Sequence, residues 1–234
     1  MENVFRFKKF SIQHHPEVMK VGTDGVLVGT LVNCENSKNI LDIGTGTGLI
    51  ALMLAQRSDA NIYSIDINPK AVEIARKNVN NSPWKERIKV ENISLQAFNS
   101  QKKFDCIVSN PPFFSEDVKP TASSRKQARH NDDLKVEELL HYSEKLLEEV
   151  GQISVIYPIK QSQIFLDIAG KNGFYCKRIV EIYPNFNSDC VRRFITVSKI
   201  SSEVITEKLV IENGKRHDYT EEYINLTRDF YLAF

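Results

Sequence analysis

A short apolar run, Phe104-Asp105-Cys106-Ile107-Val108-Ser109, ends in Asn110-Pro111-Pro112-Phe113-Phe114. Two successive prolines cannot donate to a sheet ladder, so the chain must leave the sheet at this point. Pro111 and Pro112 have no N–H, and their backbone offers acceptors only. Together with the side-chain oxygen of Asn110 and the ring of Phe113, the turn gathers hydrogen-bond acceptors beside a flat apolar surface. Such a corner suits a planar ring that carries an –NH2 group.

A second stretch with chemical potential is Ile40-Leu41-Asp42-Ile43 followed by Gly44-Thr45-Gly46-Thr47-Gly48 and Leu49 to Ala55. Strand, glycine turn and helix form a cradle for nucleotides, because glycines admit a ligand close to the backbone and the helix start presents free N–H groups. A dinucleotide fingerprint, G-x-G-x-x-G, would place its third glycine at Leu49. The spacing here is G-x-G-x-G with Asp42 before it. That favours S-adenosylmethionine, which carries no phosphates and whose amino acid part lies over such a turn. Asp66 ends the next strand, 18 residues beyond Gly48, where a carboxylate can accept from both hydroxyls of a ribose. Alternatively, Asp66 caps the helix that opens at Asn68-Pro69.

These residues need a scaffold, and the remaining pattern supplies one. Further strands are expected at Ile62–Ile67, Ile88–Ile93, Gln152–Tyr157, Phe174–Ile182 and Val191–Ile200. Helices are expected near Val26–Val32, over an apolar stripe of Ala71, Ile74, Ala75 and Val79, over residues 131–150, and over Gln161–Asn172. Strand–helix alternation closed by a hairpin implies an α/β, Rossmann-like fold with a mostly parallel sheet of seven strands and an antiparallel C-terminal hairpin strand. One domain over residues 1–234 accommodates this, with residues 1–38 as an N-terminal segment near the donor site and 39–234 as the core.

Composition narrows the function classes. Lys+Arg 31 against Asp+Glu 30 gives a net charge of +1, so no global field draws in polyanions and any nucleic-acid contact must be local. The loop after the acceptor turn, residues 115–130, holds Arg125, Lys126, Arg129 and His130. It is either a grip on a phosphate backbone or an ordinary solvated loop, and Arg192 with Arg193 is a second, weaker candidate for such a grip. The four cysteines are widely spaced and read as free thiols, and no metal-ligand pattern is present; His14-His15 reads as a plain loop pair. With no signal-peptide core and no membrane-length apolar run, a soluble cytoplasmic protein is expected. Oligomeric state is not indicated.

The glycine motif, Asp66 and Asn110-Pro111-Pro112-Phe113 together resemble the class I S-adenosylmethionine-dependent methyltransferases that modify exocyclic amines. Phe5–Phe10, Met19–Gly25, Asn81-Ser82-Pro83-Trp84 and the tail Tyr219 to Leu232 are similar to the bacterial tRNA1(Val) adenine-37 N(6)-methyltransferases. That resemblance implies a tRNA substrate, methylated at an adenine amine beside the anticodon. It assigns Asn110 and Pro111 to the two amine hydrogens, Pro112 to the turn, and Phe113 to stacking on the base. It also implies that Asp42, Gly44, Gly46, Gly48 and Asp66 hold the donor, and that Lys20 and Thr23 lie in a segment closing over it. The family often has an acid for the donor adenine just after the third strand, where Ser94 stands here. The rival acceptors are adenine in DNA or another RNA, and a protein glutamine amide. Weak helical periodicity ahead of the glycine motif argues against the last.

Overall fold

The computed structural model describes residues 4–111 and 134–234. Its strands are β1 (Val4–Arg6), β2 (Ser11–Gln13), β3 (Asn39–Ile43), β4 (Asn61–Asp66), β5 (Ile88–Asn92), β6 (Phe104–Ser109), β7 (Leu147–Pro158), β8 (Tyr175–Asn185), β9 (Arg192–Ser198) and β10 (Ile205–Glu212). The helices are α1 (Thr23–Leu31), α2 (Leu49–Arg57), α3 (Pro69–Asn80), α4 (Val136–Leu146), α5 (Ile159–Lys171) and α6 (Glu221–Thr227). Among the described residues, β3 to β10 make one sheet in the order β10-β8-β9-β7-β6-β3-β4-β5. Only β9 runs antiparallel to its neighbours.

The inner strands are buried on both faces, as parallel strands must be. Alternation sends Ile40 to one face and Leu41 and Ile43 to the other. The first face is covered by α1, α2, α3, α6 and the β1–β2 hairpin, the second by α4 and α5. The sheet has one strand more than expected. In β10, Thr206, Glu207 and Lys208 are exposed while Leu209 and Val210 are buried. Its polar half blunts an edge that would otherwise invite pairing.

Residues 4–38 are more ordered than their weak periodicity suggested. β1 and β2 pair antiparallel, with Phe5 opposite Ile12. Phe7 stacks on Phe10 at 4.6 Å and on Tyr231 at 5.8 Å, and Phe10 meets the edge of Trp84 at 5.9 Å. Lys8 Nζ donates to the carbonyls of Arg228 and Phe234, at 2.7 and 2.5 Å. The Phe-x-Phe-Lys-x-Phe stretch, Trp84 and the C-terminal tail are therefore one aromatic clasp. Strands of three residues are too short for periodicity to reveal.

Next along the chain, α1 lies close on α2 through two glycines. A Cβ on Gly29 would stand 2.6 Å from Met53 Sδ, and one on Gly25 would stand 3.0 Å from Leu49 Cδ2. Four-residue spacing puts both glycines on one helix face. The N-terminal segment is thus locked onto the helix after the glycine turn.

One boundary moved substantially. The helix expected over 131–150 is described as Val136–Leu146, and Leu147 already belongs to β7, paired with Phe104 of β6; residues 131–133 lie outside the described residues. Leu146, Leu147 and Val150 fit a helical stripe, but sheet pairing takes Leu147, and Val150 lies exposed in the irregular stretch before the ladder resumes at Gln152. β8 likewise runs on to Asn185, three residues past the expected end at Ile182. All four cysteines are free.

Candidate active site

β3, β4 and β6 end side by side, and the segments leaving these three strands converge. The glycine turn leaves β3 and is pinned to β4: Gly44 N and Thr45 N both donate to Ile65 O, at 2.9 and 3.1 Å. Gly48 N donates to Thr45 O at 2.8 Å, and Leu52 N to Gly48 O at 3.0 Å as α2 starts. Gly44, Gly46 and Gly48 all take left-handed φ values, 72°, 57° and 81°, which other residues adopt at a cost of about 1–2 kcal/mol. Nothing lies within 4 Å of a Cβ built on Gly44, so the turn is open there. Gly48 instead packs against Ala75 of α3 at 3.4 Å.

Two carboxylates sit under and beside this turn. Asp42 is fully buried and accepts from Thr45 Oγ1 at 2.6 Å, while its Oδ1 has no hydrogen-bond partner among the described residues. Burial pushes its carboxyl up to about 7; the charge of Asp66 adds to this, and the Thr45 hydroxyl and Ala51 amide pull it back. Asp66 accepts from Gly46 N through Oδ2 and from Asn68 N through Oδ1, both at 2.9 Å. Burial raises its carboxyl too, against those two amides. Asp66 does not cap α3. Asn68 does, accepting from Lys70 N at 2.9 Å, with Pro69 in the first turn. Each Asp66 oxygen keeps a second lone pair for a hydroxyl pair.

Asn110 comes directly after β6. Ser109 pairs with Ile43 in register and its hydroxyl donates to Ile43 O at 2.8 Å. Gly44 and Asn110 therefore stand at one level on strands about 4.8 Å apart. Asn110 Oδ1 is buried and has no partner among the described residues, and Pro111 beside it is buried. A buried acceptor without a donor is uncommon and asks for an explanation. Pro112, Phe113, Arg125, Lys126, Arg129 and His130 lie outside the described residues.

The other expected residues divide. Ser94 Oγ accepts from Ala97 N at 3.2 Å, opening a turn after β5. Asn92 Nδ2 donates to the carbonyls of Asp66 and Ile67, at 2.9 and 3.0 Å, bringing that turn against the end of β4. Lys20 and Thr23 are exposed, and Thr23 opens α1. Asp24 pairs with Arg192 at 3.2 Å and Glu181 with Arg193 at 2.7 Å, so both arginines are engaged within the protein. Among the described residues no cluster of three or more His, Cys, Asp or Glu could hold a metal, and no helix is long and apolar enough to cross a membrane.

Residues 17–165, covering the turn, both carboxylates and the Asn110 corner, match the family model of the methyltransferase small domain. The chain belongs to this methyltransferase family. It is 44% identical over 99% of both chains to a protein of Trichodesmium erythraeum named tRNA1(Val) (adenine(37)-N6)-methyltransferase. A Bacteroides fragilis protein of the same name is 44% identical over 97% of both. In fold the methyltransferase resembles a predicted O-methyltransferase from Agrobacterium tumefaciens, with TM-score 0.69 and 19% identity over 88% of this chain and 96% of that one. It also resembles a ribosomal protein L11 methylase from Lactobacillus delbrueckii, with TM-score 0.58 and 15% identity over 84% and 100%.

Two residues beside the candidate site escaped the sequence. Asn78, 1% exposed on α3, donates to Thr47 O at 2.8 Å and exchanges hydrogen bonds with both backbone groups of Gln13. Its signal was an amide interrupting the apolar stripe between Ala75 and Val79. Ile67, next after Asp66, is 52% exposed, an apolar surface at the site rim that strand alternation alone does not flag.

Proposed function

We propose that this methyltransferase uses S-adenosylmethionine to methylate the exocyclic amine of adenine 37, beside the anticodon of a valine tRNA. The observation that carries this is the buried, unpartnered Oδ1 of Asn110, held level with an open glycine turn. Full-length similarity to relatives named for that reaction supports the choice of acceptor.

The donor-side residues fit such a group. Gly44 and Gly46 leave open the space that side chains would fill. Asp66 has lone pairs left for ribose hydroxyls, Ile67 offers apolar cover to the adenine, and Ser94 brings a hydroxyl to the place where the family pattern has an acid. When bound, S-adenosylmethionine supplies an activated methyl group and a neutral sulfur leaving group. Asn110 Oδ1 accepts one hydrogen of the target amine, and the Pro111 carbonyl accepts the other. Drawing on both hydrogens moves the nitrogen towards tetrahedral geometry and frees its lone pair from the ring. The task of the corner is alignment and charge stabilisation. Neither group titrates near neutrality, so the transfer step is expected to be flat in pH there. An adenine must leave its stack to reach this corner. A tRNA substrate also implies a cytoplasmic site of action.

The test is to incubate the protein with methyl-labelled donor and, separately, bulk tRNA, DNA and protein extract, then digest each pool. N6-methyladenosine in the tRNA digest, mapped to position 37, is expected. Label confined to DNA or to glutamine would reassign the acceptor, and no label in any pool would remove the enzymatic reading.

A further inference from the structure

His14 and His15 are adjacent in sequence but differ in the fold. His15 Nδ1 accepts from Glu17 N at 3.2 Å, closing a local turn. Val18 then packs with Ala71 and Ile74, laying residues 14–18 along the start of α3. His14 Nδ1 is buried and has no hydrogen-bond partner among the described residues. It comes directly after Gln13, whose N–H donates to Asn78 Oδ1 at 2.8 Å and whose carbonyl accepts from Asn78 Nδ2 at 3.3 Å. The same Nδ2 donates to Thr47 O of the glycine turn at 2.8 Å. One side chain therefore fixes the backbone at residue 13 beside the turn, and consecutive Cα atoms are only about 3.8 Å apart.

Charge indicates what the spot would take. Burial, and then the charge of Lys20 nearby, hold the His14 imidazole below its ordinary range. An imidazole in either protonation state has at least one N–H to give. That N–H, the Lys20 ammonium and the positive end of the α2 dipole all favour an anion. The one anionic group on S-adenosylmethionine is the carboxylate of its amino acid end, and the glycine turn is where that end is expected to lie.

We propose that His14 is a donor-binding residue that hydrogen-bonds this carboxylate, with Asn78 as the positioning residue that holds it beside the glycine turn. This rests on the glycine turn being the donor site.

Isothermal titration with S-adenosylhomocysteine and with 5′-methylthioadenosine, which lacks the amino acid end, separates the two claims. His14→Ala should weaken S-adenosylhomocysteine by about 10–100-fold, the range for losing a hydrogen bond to a charged group. It should leave 5′-methylthioadenosine binding within about twofold. His14→Gln, which keeps an N–H donor, should recover most of the loss. The urea midpoint of either variant should stay close to the parent, because Nδ1 has no hydrogen-bond partner among the described residues. Equal loss for both ligands, or none for either, would overturn the role of His14 while leaving the turn as the donor site. Failure of the unmodified protein to bind either ligand would overturn both.

Discussion

The glycine turn and the Asn110 corner stand level on neighbouring strands, yet they treat polar groups in opposite ways. In the turn most groups are already engaged: Asp66 by two amides, one oxygen of Asp42 by Thr45, and the Thr47 carbonyl by Asn78, leaving the second Asp42 oxygen unpaired among the described residues. In the corner the Asn110 oxygen is buried and unpaired among the described residues. A turn that satisfies itself keeps its shape before any ligand arrives, and binding there adds little reorganisation. An acceptor held unpaired is a standing cost that only a donor from outside relieves. The first arrangement suits affinity and the second suits rate.

The sharpest way to break this contrast is Asn110→Ala. Its loss should lower the single-turnover methyl-transfer rate by about 10²–10³, as removal of a preorganised polar group does, with little change in urea stability. An equal fall in stability would mean that the oxygen serves the fold.

A smaller effect, on the turn side, is in pH. Asp42 moves from 3.8 to about 7 on folding because burial penalises its charge. Between about pH 4 and about pH 7 the folded chain keeps a proton that the unfolded chain has released. Stability therefore falls as pH rises through that window and levels off above it, by about 2–4 kcal/mol. Urea unfolding at about pH 5 and about pH 8 should show this slope in the parent and a shallower one in Asp42→Asn, where only the raised Asp66 carboxyl remains. An unchanged slope in the variant would place the proton elsewhere.

Gly46→Ala tests whether the turn governs affinity. A side chain at φ 57° should cost about 1–2 kcal/mol of stability and raise the donor Kd about 10-fold, with the rate at saturating donor preserved. A rate defect at saturation would blur the division between the two regions.

Ser94→Asp should sharpen it by the smallest margin. A carboxylate can still accept from Ala97 N and adds charge for an amino group, so donor Kd should tighten by about 3–10-fold. No gain in titration would mean that the Ser94 turn faces away from the adenine.

Legibility in the sequence tracked the range of the interactions involved. The bounds of β6, the three glycines of the turn and the carboxylate at the end of β4 were all readable, since each depends on residue types a few positions apart. The role of the Phe5–Phe10 stretch was not: its partners, Trp84 and Tyr231, come from the far side of the chain. Nor was the end of α4, because pairing with β6 outweighed a helical stripe that continues through Leu147.

The sequence by itself determined that a turn with three residues free to take left-handed conformations comes after β3, and that an acceptor-only backbone comes after β6. Those are properties of glycine and proline as single residues. Only the tertiary structure decided that Asp66 braces Gly46, that Asn78 ties the N-terminal hairpin to the turn, and that the Asn110 and His14 atoms go unpartnered. Whether a polar atom is satisfied depends on everything packed around it, and that assembly exists only once distant segments have met.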